Sequence, residues 1–136
     1  VNADLSLHIK NDIKEVSGLM AQVEAVLAEK RVSDRAMYKV NLVLEEILTN
    51  IIKYAYQDDR PHEIFVQIHV DENAIRIHVQ DDGTEFDPQK IPEPDLELPI
   101  EEMKVGGLGL HLIRANVETI DYERKGTRNH LTVRLS

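Results

Sequence analysis

IFVQIHVDENAIRIHVQDDG, residues 64–83, alternates apolar and polar side chains twice over. Ile64, Val66, Ile68 and Val70 hold one phase, Asp71-Glu72-Asn73 break it, and Ile75, Ile77 and Val79 resume it. A period of two places every second side chain on the same face of a half-buried strand. Two such runs across a short polar break predict an antiparallel hairpin. The second run ends on Asp81-Asp82-Gly83, where the chain leaves the sheet.

Upstream of the hairpin, Ser33 and Asp34 open a stretch in which Met37, Val40, Leu44, Ile47, Leu48, Ile51 and Ala55 form one helical stripe, ending near Tyr56 before QDDRP. A helix over about 12–30 precedes it, carried by Ile13, Val16, Leu19, Met20, Val23, Val26 and Leu27, with Asp12 and Glu15 at capping-box spacing. Leu5, Leu7 and Ile9 alternate as a first strand. Downstream, residues 84–106 show no sustained period and carry four of the five prolines. They predict a long loop, of the length that compact domains keep for lids or disordered segments. After GGLGL, Leu110, Ile113, Val117 and Ile120 suggest a third helix, and residues 119–124 pair with 130–135 around Gly126. The order strand, helix, helix, hairpin, loop, helix, hairpin predicts an α+β domain over 1–136, a two-layer sandwich of a mixed, mostly antiparallel sheet with helices on one face.

The 136 residues suit one core. A net charge of -9, from 16 Lys and Arg against 25 Asp and Glu, would repel a phosphate backbone, so direct nucleic-acid binding is not expected. The absence of cysteine excludes disulfides, thiolate nucleophiles and Cys-ligated metals. No apolar run approaches the roughly 20 residues that cross a bilayer, and the first residues lack the apolar stretch of a signal peptide, so no membrane role and a cytoplasmic location are expected. The six histidines show no H-x-x-x-H or H-E-x-x-H spacing, and His69 and His78 fall on polar positions of the hairpin, as exposed side chains would. The serines lack a G-x-S-x-G setting, and Tyr54 and Tyr56 suit packing better than chemistry.

Three constellations remain. Glu46, Asn50 and Lys53 stand at i, i+4 and i+7 on the second helix, one polar stripe beside the apolar face. A solvated helix side is the ordinary reading of such spacing, but mid-helix Asn50 goes against the preference of Asn for caps and turns. An amide oxygen suits magnesium, and a carboxylate one turn earlier can take a proton from an attacking hydroxyl. Asp81-Asp82-Gly83 is an ordinary strand-ending turn, unless Asp81 is partly buried and accepts from an exocyclic amine while Gly83 lets a ring approach the backbone. Gly106-Gly107-Leu108-Gly109-Leu110 is a common hinge or cap, yet before a helix it exposes backbone N–H groups to an anion. Neither a P-loop nor a Rossmann fingerprint is present.

In this order and spacing the three resemble the GHKL ATPase family: EILTNIIKYAY its N-box, DDG its first glycine box, GGLGL its second, with the ATP lid at about 84–106. The resemblance covers nearly the whole chain, and GGLGLHLI with E-x-x-x-N is most similar to the anti-sigma factor serine kinases. It implies the Bergerat-type ATP-binding fold. Asn50 would coordinate Mg2+, Glu46 would be the general base, and Asp81 would bind the adenine amine with Gly83 beside the ring. Gly107 and Gly109 would donate N–H groups to phosphates, Lys104 would neutralise the terminal phosphate, and Thr132 would make a water-mediated adenine contact. The chain departs from the D-x-G-x-G pattern of many relatives, since Glu85 stands where the second glycine would be.

The resemblance implies transfer of a phosphoryl group from magnesium ATP to a serine of a STAS-type anti-anti-sigma factor. It also implies sequestration of a sigma factor, and a homodimer. Two rival readings fit fewer of these features. One is a nucleotide-binding module that sequesters a partner without kinase activity, against which Glu46 speaks. The other is the catalytic domain of a sensor histidine kinase, for which the N-terminal residues leave too little room for a dimerisation segment.

Overall fold

The computed structural model describes residues 3–87 and 107–136. Five strands form one sheet in the order β1-β2-β3-β5-β4: β1 (Leu5–Lys10), β2 (Glu63–Val70), β3 (Ile75–Asp81), β4 (Thr119–Lys125) and β5 (Arg128–Leu135). All four pairings are antiparallel, so the mixed character left open by the sequence resolves to an antiparallel sheet among the described residues. Three helices, α1 (Val16–Glu29), α2 (Asp34–Tyr54) and α3 (Gly107–Asn116), complete the α+β layering. Of the expected long loop only residues 84–87 are described; residues 88–106, and with them Lys104 and Gly106, lie outside the described residues.

The alternation of the hairpin becomes the two faces of the sheet. Ile64, Val66, Ile68, Ile75, Ile77 and Val79 are buried against the helices, joined by Val133 and Leu135 of β5. From the helices, Leu19, Val23 and Leu27 of α1 and Val40, Val43, Leu44 and Leu48 of α2 close the core. Burial of each such side chain contributes about 1.5–3 kcal/mol.

Helix ends follow local chemistry with two differences from expectation: α3 stops at Asn116, so that Val117 lies beyond it and Ile120 belongs to β4, and the start of α1 is not the expected one. Ser33 caps α2 by accepting from the amide of Ala36 at 3.1 Å, and α2 ends at Tyr54. At Asp12 the expected capping box does not close, because the chain enters through a 3-10 turn, Ile13–Glu15. The Glu15 amide already donates to the Asp12 carbonyl, the Asp12 carboxylate takes the Lys14 amide, and the Glu15 carboxylate turns back to the amide of Lys10.

The connection between α1 and α2 contains a non-glycine residue in the left-handed region, Arg31 with φ 58°. Its amide donates to the Ala28 carbonyl and that of Val32 to the Leu27 carbonyl, the Schellman pattern in which glycine is the favoured residue. Arg31→Gly is therefore expected to stabilise the fold by about 0.5–1 kcal/mol, read as a higher urea midpoint with an unchanged slope. A lower midpoint would mean that the arginine side chain outweighs the backbone strain.

Candidate functional site

One chamber opens between α2, α3 and the edge of the sheet formed by β3, β5 and β4. Its walls are mostly apolar: Ile47 and Ile51 of α2, Leu110 and Ile113 of α3, and Leu131 of β5. Tyr54 and Phe86, each about half exposed, also border it. Two polar groups stand in this apolar lining at different places, Asp81 with Asn129 on the sheet and Asn50 on α2. An apolar slot with a few fixed polar groups is the ordinary form of a small-molecule site.

Asp81 is the last residue of β3 and falls in the inward phase, so its carboxylate is buried, 4% exposed, while Asp82 turns away from the core. Its Oδ1 accepts from the Gly83 amide at 2.8 Å and from Asn129 Nδ2 at 3.0 Å. Burial raises the pKa of Asp81, opposed by these two donors. The carboxylate lines the chamber with one oxygen already fixed, so it is an acceptor whose direction is set before any ligand arrives.

Gly83 is needed for space. A Cβ there would stand 2.5 Å from the Ala55 Cβ, 2.8 Å from the Ala55 carbonyl oxygen and 2.9 Å from Asp81 Oδ1. The Ala55 carbonyl, at the C-terminus of α2, also accepts from the Thr84 amide at 2.8 Å. The turn after β3 is thus docked directly on the end of α2.

The other polar region forms where α2 meets α3. The glycines expected just ahead of the third helix are instead inside it: Gly107 starts α3 and Gly109 lies in its first turn. A Cβ on Gly109 would approach Glu46 Oε2 to 2.7 Å and Asn50 Nδ2 to 2.9 Å. Glu46 and Asn50, one turn apart, are thereby brought against the start of α3, where the first N–H groups of a helix have no intrahelical acceptor. The start of a helix can hold an anion through its N–H groups, and an amide oxygen beside it suits a hard cation. Lys53, third in the same stripe, is exposed and borders a separate groove with Asp58, Asp59 and Arg60.

Thr132 is not brought to the chamber. It pairs with His78 across β3 and β5, and its Oγ1 lies 2.9 Å from His78 Nδ1 on the sheet face opposite the helices. The physical reason is parity. Val133 and Leu135 face the core, so Thr132 faces away and Asn129 faces in. His78 itself is half-buried, not exposed as its phase suggested, and that burial lowers its pKa.

Asn129 is the residue that the sequence reading missed. Directly across from Asp81 in register and 5% exposed, it donates through Nδ2 to Asp81 and to the Thr84 carbonyl at 2.9 Å. Its Oδ1 accepts from the Tyr122 hydroxyl and, at 3.0 Å, from Arg124 Nη1, which also donates to the Gly83 carbonyl at 2.7 Å. Tyr122 in turn accepts from the Phe86 amide at 3.2 Å. Every polar atom of the Asn129 amide is engaged, and the donors on Oδ1 fix which way the amide faces. The available signal was weak: Asn129 stands one residue before the expected strand 130–135, in the phase of Leu131 and Val133.

The chain is 28% identical over 111 residues to the serine/threonine-protein kinase BtrW of Bordetella bronchiseptica, covering 82% of this chain and 78% of that protein. It is 32% identical over 92 residues to the serine-protein kinase RsbW of Listeria innocua, covering 65% of this chain and 59% of the relative. The chain thus spans somewhat over half the length of the RsbW relative. Among solved structures, the RsbU and RsbW domains of a Mycobacterium tuberculosis protein share the fold, with a TM-score of 0.64 at 17% identity over 96% of this chain and 32% of that one. Residues 9–135 match the family described as the histidine kinase-like ATPase domain. With its chamber between helices and an antiparallel sheet, the chain belongs to the histidine kinase-like ATPase domain family.

Proposed function

We propose that the protein is an ATP-dependent serine kinase of the anti-sigma factor type, transferring a phosphoryl group to a serine of a STAS-type anti-anti-sigma factor. The observation that carries this reading is the convergence of Glu46 and Asn50 on Gly109 at the start of α3, in a chamber that also presents buried Asp81. Adenine fits the apolar slot, where the Asp81 carboxylate accepts from its exocyclic amine and Gly83 admits the ring close to the backbone. Phosphates then lie at the start of α3, within reach of the N–H groups of Gly107 and Gly109, and Lys104 is proposed to meet the terminal phosphate.

The residues present fit magnesium. Asn50 supplies a hard amide oxygen, and among the described residues no three His, Cys, Asp or Glu side chains cluster for a metal, so phosphate oxygens and water would complete its shell. When bound, the ion neutralises phosphate charge. Glu46, one turn from Asn50, accepts the proton of the attacking serine hydroxyl. Names of relatives that include serine-protein kinase support the same activity. With it go a sigma factor as second partner, a homodimer, a single domain over 1–136, and a lid at about 84–106. Among the described residues no helix is long and apolar enough to cross a membrane.

The test uses the full chain, labelled magnesium ATP and a panel of STAS-domain proteins, with phosphoserine as the readout. Glu46→Ala is expected to bind nucleotide within about threefold of wild type and to lose transfer by at least about 100-fold, the range of general-base catalysis. Asn50→Ala should lose magnesium-dependent binding itself. Binding without transfer to any partner in the wild type would favour a sequestering module over a kinase.

A further inference from the structure

Behind the Asp81 turn, one histidine is held in a way that a neutral ring cannot satisfy. His62, between α2 and β2, places Nε2 2.7 Å from Asp58 Oδ1 and Nδ1 3.1 and 3.2 Å from the two carboxylate oxygens of Asp82. A neutral imidazole has a single N–H and can donate to only one of these carboxylates. Both contacts together require imidazolium. The ring also stacks on Tyr56, centroids 4.3 Å apart and planes at 16°. Its backbone is locked to Asn11, whose amide donates to the His62 carbonyl and whose side chain accepts from the His62 amide, both at 2.9 Å.

Asp82 stands between Asp81 and Gly83, in the turn that forms the sheet end of the chamber. We infer that His62 is a positioning residue for this turn: as imidazolium it ties Asp82 to the loop after α2 and keeps Asp81 aimed into the chamber, so that nucleotide affinity falls when His62 loses its charge. The part concerning nucleotide rests on the function proposed above; the tie between His62 and the turn does not.

Loss of the proton leaves one N–H for two carboxylates. The shorter contact, to Asp58, keeps it, and Asp82 becomes an unpaired carboxylate beside Asp81. The charged groups in contact with the ring are Asp58 on its own loop and Asp82 on the β3 turn; Arg60 pairs with Asp58, and Lys10 and Asp12 flank Asn11 along the chain. Hydrogen bonding to Asp58, with a further contribution from Asp82, raises the pKa of His62 against the opposing effect of burial. A raised histidine pKa favours the charged form in the folded protein. The tie is therefore complete below the ordinary histidine value and is lost as pH rises through the raised one.

The experiment is an NMR titration of the nucleotide-free full chain, with Mg-ADP affinity measured in parallel from pH 6 to 9. The backbone amides of Asp82, Gly83 and Thr84 should shift with the midpoint of the His62 ring, and that midpoint should vanish from them in His62→Gln. Wild-type affinity should weaken about 3- to 10-fold across it, the modest size of a partly exposed charge pair. His62→Gln should be weak and flat with pH. Asp82→Asn, which leaves the loop after α2 intact, should be flat as well and guards against a folding defect in the first variant. Turn amides indifferent to the His62 titration, or a wild-type pH profile in His62→Gln, would overturn the proposal. If the amides follow His62 while wild type binds no nucleotide at any pH, the positioning tie stands and the nucleotide reading fails.

Discussion

Gly83→Ala is expected to abolish measurable nucleotide binding and to lower stability by about 1–3 kcal/mol, the usual cost of forcing a methyl group into a packed position. The added carbon would meet the Ala55 Cβ at 2.5 Å and the Ala55 carbonyl at 2.8 Å, neither of which is the far end of a flexible side chain. Relief requires the turn to lift from α2. That motion breaks the bond from the Thr84 amide to the same carbonyl and moves Asp81, whose Oδ1 lies 2.9 Å from the added atom. Urea unfolding and calorimetric titration with Mg-ADP read the two effects separately. Retained affinity with lost stability would show that the turn relaxes without moving Asp81. Gly109→Ala differs in kind, because its neighbours are the ends of Glu46 and Asn50, which can swing away; the fold should persist while transfer fails.

Asn129→Ala is expected to cost about 2–5 kcal/mol and to weaken nucleotide binding by at least about 10-fold, since several buried polar groups lose their partner at once. Asp81 Oδ1, the Thr84 carbonyl, the Tyr122 hydroxyl and one contact of Arg124 all meet at this amide. Asn129→Asp separates packing from chemistry. It retains the shape and the acceptor for Tyr122 and Arg124, but sets a second carboxylate about where Nδ2 stood, 3.0 Å from Asp81. Two carboxylates at that distance share a proton, so Asp81 would be raised further and binding should improve as pH rises enough to ionise both. Thr132→Ala, on the opposite face, should leave nucleotide affinity within about twofold, as surface changes away from such networks do. A large loss there would return Thr132 to the site.

Much of the architecture is legible from one sequence because its signals are local. The alternation from Ile64 to Val79 gave the hairpin, the stripe from Val40 to Leu48 gave α2, and Ser33 marked where α2 begins. The capping box at Asp12 failed because a 3-10 turn used the same amide, a competition between two local bonds that spacing does not resolve. The glycines before α3 predict a hinge or cap that opens N–H groups to an anion; that a side chain at Gly109 would also collide with Glu46 and Asn50 of another helix is not legible in their spacing.

The sequence by itself determined the main helices and strands, the inward phase of the first three strands and the three constellations proposed for the site. These depend on side-chain spacing along the chain, where a period of 2 or 3.6 decides which face is buried. Only the tertiary structure decided which groups meet: Asn129 across from Asp81, Gly83 against Ala55, Gly109 against Glu46 and Asn50, and His62 between Asp58 and Asp82. Strand register and helix contact are set by packing whole faces together, so a residue such as Asn129 acquires its role from a partner 48 positions away.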